Sequence, residues 1–202
     1  MAKIIKLAGK SAERFGYKRA SRKRRPPQQT PEQLSLFSGR PRIIYLPNSL
    51  SLFESALLAH ENGDEMAGDR YRDAIAQNDC LADAWCNLGI IESQAGNYQE
   101  ALACFSHSLQ ADSALFEAHF NLGNLHLELG NIDPAKLHYE VACSIDPTYP
   151  NLYFNLGLVL ALADDIEGAI GALRKYLDVA SGDDSLKVNE LLRQLVETKT
   201  AK

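Results

Sequence analysis

The chain has 202 residues, of which 46% are hydrophobic and 23% are charged, and its formal net charge is −5. No apolar run approaches the ~20 residues that a membrane-spanning helix needs, and the first ten residues are too interrupted for a secretory leader. We therefore expect a cytoplasmic protein with no membrane partner. Its cysteines form no CxxC pair, and we expect reduced, buried thiols at Cys80, Cys86, Cys104 and Cys143.

The charge is divided unevenly along the chain. Residues 1–42 contain 12 Lys and Arg residues against 2 Asp and Glu residues, whereas residues 43–202 contain 9 against 24. The first part therefore has a net charge of +10 and the second a net charge of −15. This division predicts a basic arm attached to an acidic folded body.

The basic arm comprises residues 1–47 and is predicted to be largely disordered, because it combines repelling charges with a proline-rich stretch. Its densest charge lies at Arg22, Lys23, Arg24 and Arg25. Such a cluster neutralises phosphates, so these four residues are candidate contacts for nucleic acid. Three other interpretations stay open: the arm folds back on the acidic body, it is solvated, or the first 25 residues are a mitochondrial transit peptide.

A short apolar motif follows the basic cluster, formed by Gln33, Leu34, Ser35, Leu36 and Phe37. It resembles the pentapeptide by which bacterial replication and repair proteins dock on the sliding clamp. The resemblance implies that the two apolar side chains at its end enter a pocket while the glutamine amide bonds at the rim. The alternative is that the same apolar side chains anchor the arm on the first repeat.

The rest of the chain repeats with a period of 34 residues. An Asn-Leu-Gly tripeptide begins at Asn87 and returns at Asn121 and Asn155. The predicted units span residues 82–115, 116–149 and 150–183, preceded by a degenerate unit at 48–81. Within each unit the apolar spacing predicts two helices separated by a turn. A final apolar stripe in residues 184–202 predicts a cap helix at Val188, Leu191, Leu192 and Leu195.

The units share a Leu-Gly pair and an alanine at fixed spacing, and a large side chain follows the alanine at Phe105, Tyr139 or Leu173. Unit 82–115 has Trp85, Leu88, Gly89, Ala101 and Phe105. These residues resemble the tetratricopeptide repeat family. The resemblance implies an all-α, right-handed superhelical solenoid whose concave face binds partners, with Gly89 and Ala101 letting the paired helices approach closely. The units are also similar to the asparagine-ladder repeats of O-GlcNAc transferases and to repeat regions of bacterial regulators.

The resemblance places unit positions 2, 5, 6, 9, 12 and 13 on the concave groove. Asn87, Asn121 and Asn155 occupy position 6, where an amide can donate to and accept from a peptide backbone. The alternative is that these asparagines only bond neighbouring helices. Other candidate groove residues add polar and apolar surface: Ile90, Phe120, Asn124, Phe154 and Leu158.

The carboxylate clamp for chaperone tails needs Lys or Arg at positions 2, 5 or 6, and Asp83 and Glu117 occupy position 2 instead. A chaperone-tail adaptor is therefore disfavoured. The five histidines match no ligand spacing, although His119 and His126 share a helix face, and no catalytic motif is present. We expect no metal, no cofactor and no enzyme activity.

The sequence thus predicts a non-enzymatic scaffold or adaptor that binds an extended peptide in the groove. The alternative is a nucleic-acid-associated accessory factor that uses the basic arm and docks on a sliding clamp through residues 33–37.

Overall fold

The computed structural model describes residues 50–180 and 185–200. The predictions for the basic arm, including residues 22–25 and 33–37, lie outside these residues. The described part contains nine α-helices and no strand: α1 (Leu52–Glu61), α2 (Ala67–Ala76), α3 (Leu81–Gln94), α4 (Tyr98–Ala111), α5 (Phe116–Glu128), α6 (Ile132–Ile145), α7 (Pro150–Leu162), α8 (Ile166–Val179) and α9 (Ser185–Thr200).

The helices pack in sequence order, as tandem helix pairs do. The closest pairs are α1 with α2, α3 with α4, α5 with α6, and α7 with α8, and each pair contacts the next. The first helices of successive pairs also contact each other, α3 with α5 and α5 with α7. Each pair therefore covers the apolar side of its neighbour, and the predicted all-α solenoid is confirmed.

The turns inside the helix pairs repeat a left-handed residue. Gly96 has φ +81° and Gly130 has φ +75°, a region that glycine enters without a steric penalty. The residue after each glycine donates its backbone N–H to a carbonyl five residues earlier, which satisfies the end of the preceding helix. In the pair of α7 and α8, Asp164 occupies this position with φ +61°.

Close packing inside the last three pairs depends on a glycine of the first helix, in α3, α5 and α7. A β-carbon at Gly89 would lie 2.8 Å from the Phe105 ring, and one at Gly157 would lie 2.8 Å from Leu173. These separations are shorter than side chains tolerate, so a larger residue would push the helices apart. The close approach predicted from Gly89 is confirmed.

Different devices close the two ends of the described solenoid. At the first helix, Ser51 accepts from the Glu54 backbone while the Glu54 carboxylate accepts from the Ser51 backbone, a complete capping box. At the other end α9 packs on α8 through Val188 and Leu195, both buried, and Lys199 pairs with Glu167. The predicted cap helix is therefore present.

The cysteine prediction is partly wrong. None of the four cysteines forms a disulfide within the described residues; Cys86 and Cys104 are buried, but Cys143 is half-buried and Cys80 is exposed. Cys80 has φ +50° at the start of α3, a turn conformation that places its side chain outside the core. Burial raises the pKa of the Cys104 thiol to about 12 and that of Cys143 to about 11. None of the nine described helices is long and apolar enough to cross a membrane.

Candidate functional site

The first helices of the three complete pairs contact one another in series, α3 with α5 and α5 with α7, so the predicted binding positions lie on neighbouring helices. We call these positions together the groove face. It contains acidic, amide and apolar side chains: Asp83, Cys86, Asn87, Ile90, Ser93, Glu117, Phe120, Asn121, Asn124, Leu127, Asn151, Phe154, Asn155, Leu158 and Leu162.

Two asparagines and a tyrosine are joined by hydrogen bonds between α5, α6 and α7. The Tyr139 hydroxyl donates to Asn124 Oδ1 at 2.6 Å, and Asn155 Nδ2 donates to the same oxygen at 2.8 Å. All three residues are buried, and burial raises the Tyr139 pKa. Asn155 is thus fixed between repeats, as the alternative interpretation of the asparagines requires.

The other two position-6 asparagines are held differently. Asn121 Nδ2 donates to Cys86 Sγ at 3.7 Å, which again joins one repeat to the preceding one. Asn87, Asn121 and Asn155 do not hydrogen-bond each other within the described chain. They therefore lie at equivalent positions of successive helices without forming a continuous chain of amide contacts.

Several groove-face polar atoms are buried and yet have no hydrogen-bond partner among the described residues. They are Asn87 Nδ2, Ser93 Oγ, Asn121 Oδ1 and Asn124 Nδ2. These atoms provide amide donors, an amide acceptor and a hydroxyl, which is the set that an extended backbone can satisfy. Leaving such groups unpaired costs about 1–3 kcal/mol each, so a ligand that pairs them gains that energy.

The structure places Phe120 and Ile90 inside the packing between repeats. Phe120 is 5% exposed and contacts Phe116, Tyr139 and Tyr149 with ring centroids 5.3–6.0 Å apart. Ile90 is 1% exposed and belongs to the cluster between α3 and α5. Neither residue presents open apolar surface on the groove face, because the following repeat covers it.

The apolar surface of the groove face lies on α7. Phe154 and Leu158 are half-buried, and Leu162 at the end of the helix is 56% exposed. Phe154 packs against the Tyr176 ring at a centroid distance of 5.8 Å. Side chains of this kind at one end of a polar groove favour a ligand with an apolar residue there.

The edge of the groove face is acidic at the start of α3 and α5. Asp83 and Glu117 lie in the first turns of these helices and are half-buried. Glu128 lies at the other end of α5, is exposed, and accepts a 3.0 Å hydrogen bond from the Tyr98 hydroxyl. This edge favours a basic ligand and repels an acidic chaperone tail.

Three histidines meet on the opposite face of α5. His119 Nδ1 lies 3.1 Å from His138 Nδ1, and the His126 ring stacks on the His138 ring at 5.7 Å. His119 Nε2 lies 3.2 Å from the Ser113 carbonyl oxygen. Because a carbonyl only accepts, Nε2 donates to it, so the neutral His119 accepts at Nδ1 and His138 donates.

The histidine cluster shows no metal-binding arrangement. No group of three or more His, Cys, Asp or Glu side chains within residues 50–180 and 185–200 is placed to hold a metal ion. The sequence predicted that His119 and His126 share a face, but it did not identify His138 as their common neighbour. The spacing within α5 cannot show which residue of α6 faces it.

Sequence reasoning also omitted Tyr139 from the groove, although its hydroxyl fixes Asn124. Tyr139 occupies the second aromatic position of its unit, where unit 82–115 has Phe105. A hydroxyl at a position otherwise occupied by a hydrocarbon ring was the available signal, since a buried tyrosine hydroxyl needs a partner.

A family model described as tetratricopeptide repeat matches residues 80–148. A tetratricopeptide repeat protein from Parabacteroides merdae superposes with a TM-score of 0.63 at 20% identity, over 73% of this chain and 59% of that one. No curated protein matches the chain in a direct sequence comparison.

Two similar structures contain bound peptides. The first repeat domain of Spaghetti (RPAP3), bound to an HSP90 peptide, has a TM-score of 0.55 at 18% identity and covers 59% of this chain and 93% of its own. The Yersinia enterocolitica chaperone SycD, in complex with a peptide of the translocator YopD, has a TM-score of 0.53 at 19% identity, covering 57% and 92%. At these identities the likeness demonstrates a common fold.

Proposed function

We propose that the described part of this chain is a scaffold of tetratricopeptide repeats without enzyme activity, which binds an extended peptide segment of a protein partner on the groove face. The observation that carries the proposal is the set of buried, unpartnered polar atoms on α3 and α5, which belong to Asn87, Ser93, Asn121 and Asn124. An extended segment has the unpaired N–H and C=O groups that would complete them.

The chemistry of the groove face also supports a type of ligand. The asparagine amides contact the backbone and contribute little side-chain discrimination, whereas the acidic edge and the apolar end select for sequence. The favoured ligand therefore combines basic residues, which approach Asp83 and Glu117, with an apolar residue that packs on Phe154 and Leu158. The peptides bound by Spaghetti and SycD support a groove ligand in repeats of this fold.

The test uses a displayed library of random 12-residue peptides selected on the full-length chain. The affinity of a selected peptide is then measured for wild type and for Asn121→Ala, with Asn189→Ala as the control because Asn189 is exposed on α9. Loss of one ligand hydrogen bond at about 1 kcal/mol weakens binding about fivefold. Far-ultraviolet circular dichroism confirms that each variant keeps its helices.

Binding that is equally strong in Asn121→Ala and Asn189→Ala would contradict a groove ligand. A selected peptide with no basic residue would contradict the acidic-edge part of the proposal. Substitution of Asp83 by Asn and Glu117 by Gln then separates charge attraction from backbone pairing. Salt screens charge attraction, so the peptide affinity of wild type should fall as salt is added, and that of the substituted variant should fall less.

A further inference from the structure

We infer that a segment of this chain's own basic arm, residues 22–37, occupies the groove face when no partner is bound, so that a partner must displace it. The inference rests on the groove of the proposed function and goes further, because it names the resident occupant. It also gives a single role to the basic cluster and the apolar motif of the arm.

Charge complementarity is the first argument. The arm carries +10 and the remainder of the chain −15, and the basic cluster Arg22–Arg25 is the densest positive run in the sequence. Asp83 and Glu117 lie at neighbouring helix starts on the edge of the groove face. Tethering keeps the arm at a local concentration in the millimolar range, so attractions that are weak between separate molecules become effective within one chain.

Burial is the second argument. Asn121 Oδ1 and Asn87 Nδ2 are shielded from solvent, although no described residue pairs with them. An unpaired buried polar atom destabilises the fold, so a segment that pairs with these atoms is favoured. An extended segment lying across α3 and α5 both covers these atoms and supplies their hydrogen bonds.

The composition of residues 22–37 matches the composition of the groove face. The basic cluster corresponds to the acidic edge, and the apolar side chains Leu34, Leu36 and Phe37 correspond to the half-buried apolar side chains of α7. Pro26 and Pro27 favour an extended backbone between these two parts. The segment therefore has the same basic and apolar character as the ligand that the groove chemistry favours.

The chain is long enough for this contact. The 13 steps from Phe37 to Leu50, with 12 residues between them, span up to ~43 Å when the chain is extended. Adjacent packed helices lie ~8–10 Å apart, so the first helices from α1 to α7 extend over roughly 30 Å. The arm therefore reaches every part of the groove face without any movement of the helices.

Zero-length carbodiimide cross-linking of the full-length chain tests the contact, because it joins a lysine amine only to a carboxylate that touches it. The expected products join Lys23 to Asp83 or Glu117 within one chain. Asp133 and Glu140 are the controls, because they are exposed on α6, away from the groove face. Equal mixing of ¹⁴N and ¹⁵N protein distinguishes links within a chain from links between chains.

Competition provides a second, independent measurement. A variant in which residues 22–25 are all changed to Gln lacks the positive charges that would attract the arm to the acidic edge. The selected peptide should then bind at least about threefold more tightly than it binds wild type, because the competent fraction of free grooves rises. Substitution of the exposed residues Lys187 and Arg193 of α9 by Gln should leave the peptide affinity unchanged.

Cross-links that are absent, that join Lys23 equally to Asp133 and Glu140, or that join only different chains would overturn the inference. So would an unchanged peptide affinity in the Gln variant, because a docked arm must compete with a partner. The cross-links need no added peptide, so they test the arm even if the proposed function fails. Conversely, a selected peptide that binds Asn121→Ala more weakly than wild type supports the proposed function even if the arm does not dock.

Discussion

Gly123 of α5 lies directly beneath the ring of Tyr139 of α6, so that a β-carbon on the glycine would lie 2.5 Å from Tyr139 Cε1. The tyrosine cannot move aside easily, because it is fully buried and its hydroxyl is fixed by the 2.6 Å hydrogen bond to Asn124. This packing contact therefore also determines where the Asn124 side chain is placed, because one ring both packs on Gly123 and holds that asparagine.

Gly123→Ala should destabilise the protein by about 1–3 kcal/mol, because the added methyl group overpacks the α5–α6 contact. This loss exceeds the gain of about 1 kcal/mol that alanine brings to a helix interior. Gly171→Ala is the matched control: it lies in α8 with open space around the added carbon, and it should stabilise by ~0.5–1 kcal/mol. Urea denaturation followed by circular dichroism measures both, and equal effects would contradict the contact.

The fold could be predicted from the sequence because its determinants are local and repeated. The glycine of each Leu-Gly pair, the 34-residue period and the apolar stripe of α9 each depend on spacing within one or two helices. Those spacings determine which residues face each other, as the separations at Gly89 and Gly123 demonstrate. Because the same spacing recurs in successive units, each unit supports the helix assignment made for the others.

The groove could be predicted less completely, because burial and hydrogen bonding depend on neighbouring repeats. Position 5 holds an aromatic in two units, but Phe120 is covered by Tyr149 from the start of α7, whereas Phe154 is only half-buried. Asn155 likewise pairs with Asn124 from the preceding unit. Contacts of this kind join residues about 30 positions apart and have no signature in a single helix.

Asp164→Gly should stabilise the protein by about 0.5 kcal/mol. The residue has φ +61°, where Gly96 and Gly130 occupy the equivalent turns, and a side chain in this region costs about 1–2 kcal/mol. The greater freedom of glycine in the unfolded chain offsets part of that gain. Thermal denaturation compares the variant with Asp164→Ala, which removes the same carboxylate without relieving the backbone. If both variants are more stable than wild type, the effect comes from removal of the Asp164 carboxylate charge and not from the backbone.

Arg72→Met should destabilise the junction between α2 and α3 by about 1–3 kcal/mol. Its guanidinium donates to the buried Glu92 carboxylate at 2.6 Å, and without it only Asn97, at 2.9 Å, contacts that carboxylate. Arg70→Met, which removes a pair with exposed Asp64, should cost less than about 1 kcal/mol. Equal losses in urea denaturation would contradict a stronger contribution from the pair that involves the buried Glu92 carboxylate.

A second substitution tests whether the stability lost in Arg72→Met comes from the uncompensated Glu92 carboxylate or from the lost packing of the arginine side chain. Leu160 occupies the unit position that Glu92 occupies two repeats earlier, so leucine is compatible with this position. Arg72→Met combined with Glu92→Leu should therefore recover part of the stability lost in Arg72→Met alone, because no uncompensated buried carboxylate remains. A double variant that is less stable than both single variants would contradict this account.

Acid should destabilise the central repeat through His138. Burial, reinforced by the neighbouring His119 and His126, lowers the His138 pKa from 6.5 to about 4. Between these values the unfolded chain binds a proton that the folded chain does not, so the free energy of unfolding falls as the pH falls from about 6.5 to 4. The slope from this one group stays below about 1.4 kcal/mol per pH unit, because the two states differ by at most one bound proton.

His138→Gln should flatten this dependence, because glutamine does not titrate in the same range, while the exposed His107→Gln should preserve it. Urea denaturation at half-unit steps from pH 7.5 to 4.5 measures the slope for wild type and for both variants. His126 contributes in the same direction, since burial also lowers its pKa, so a residual slope should persist in His138→Gln. A slope in His138→Gln equal to that of wild type would show that acid acts elsewhere, because His138 is the ring that both His119 and His126 contact.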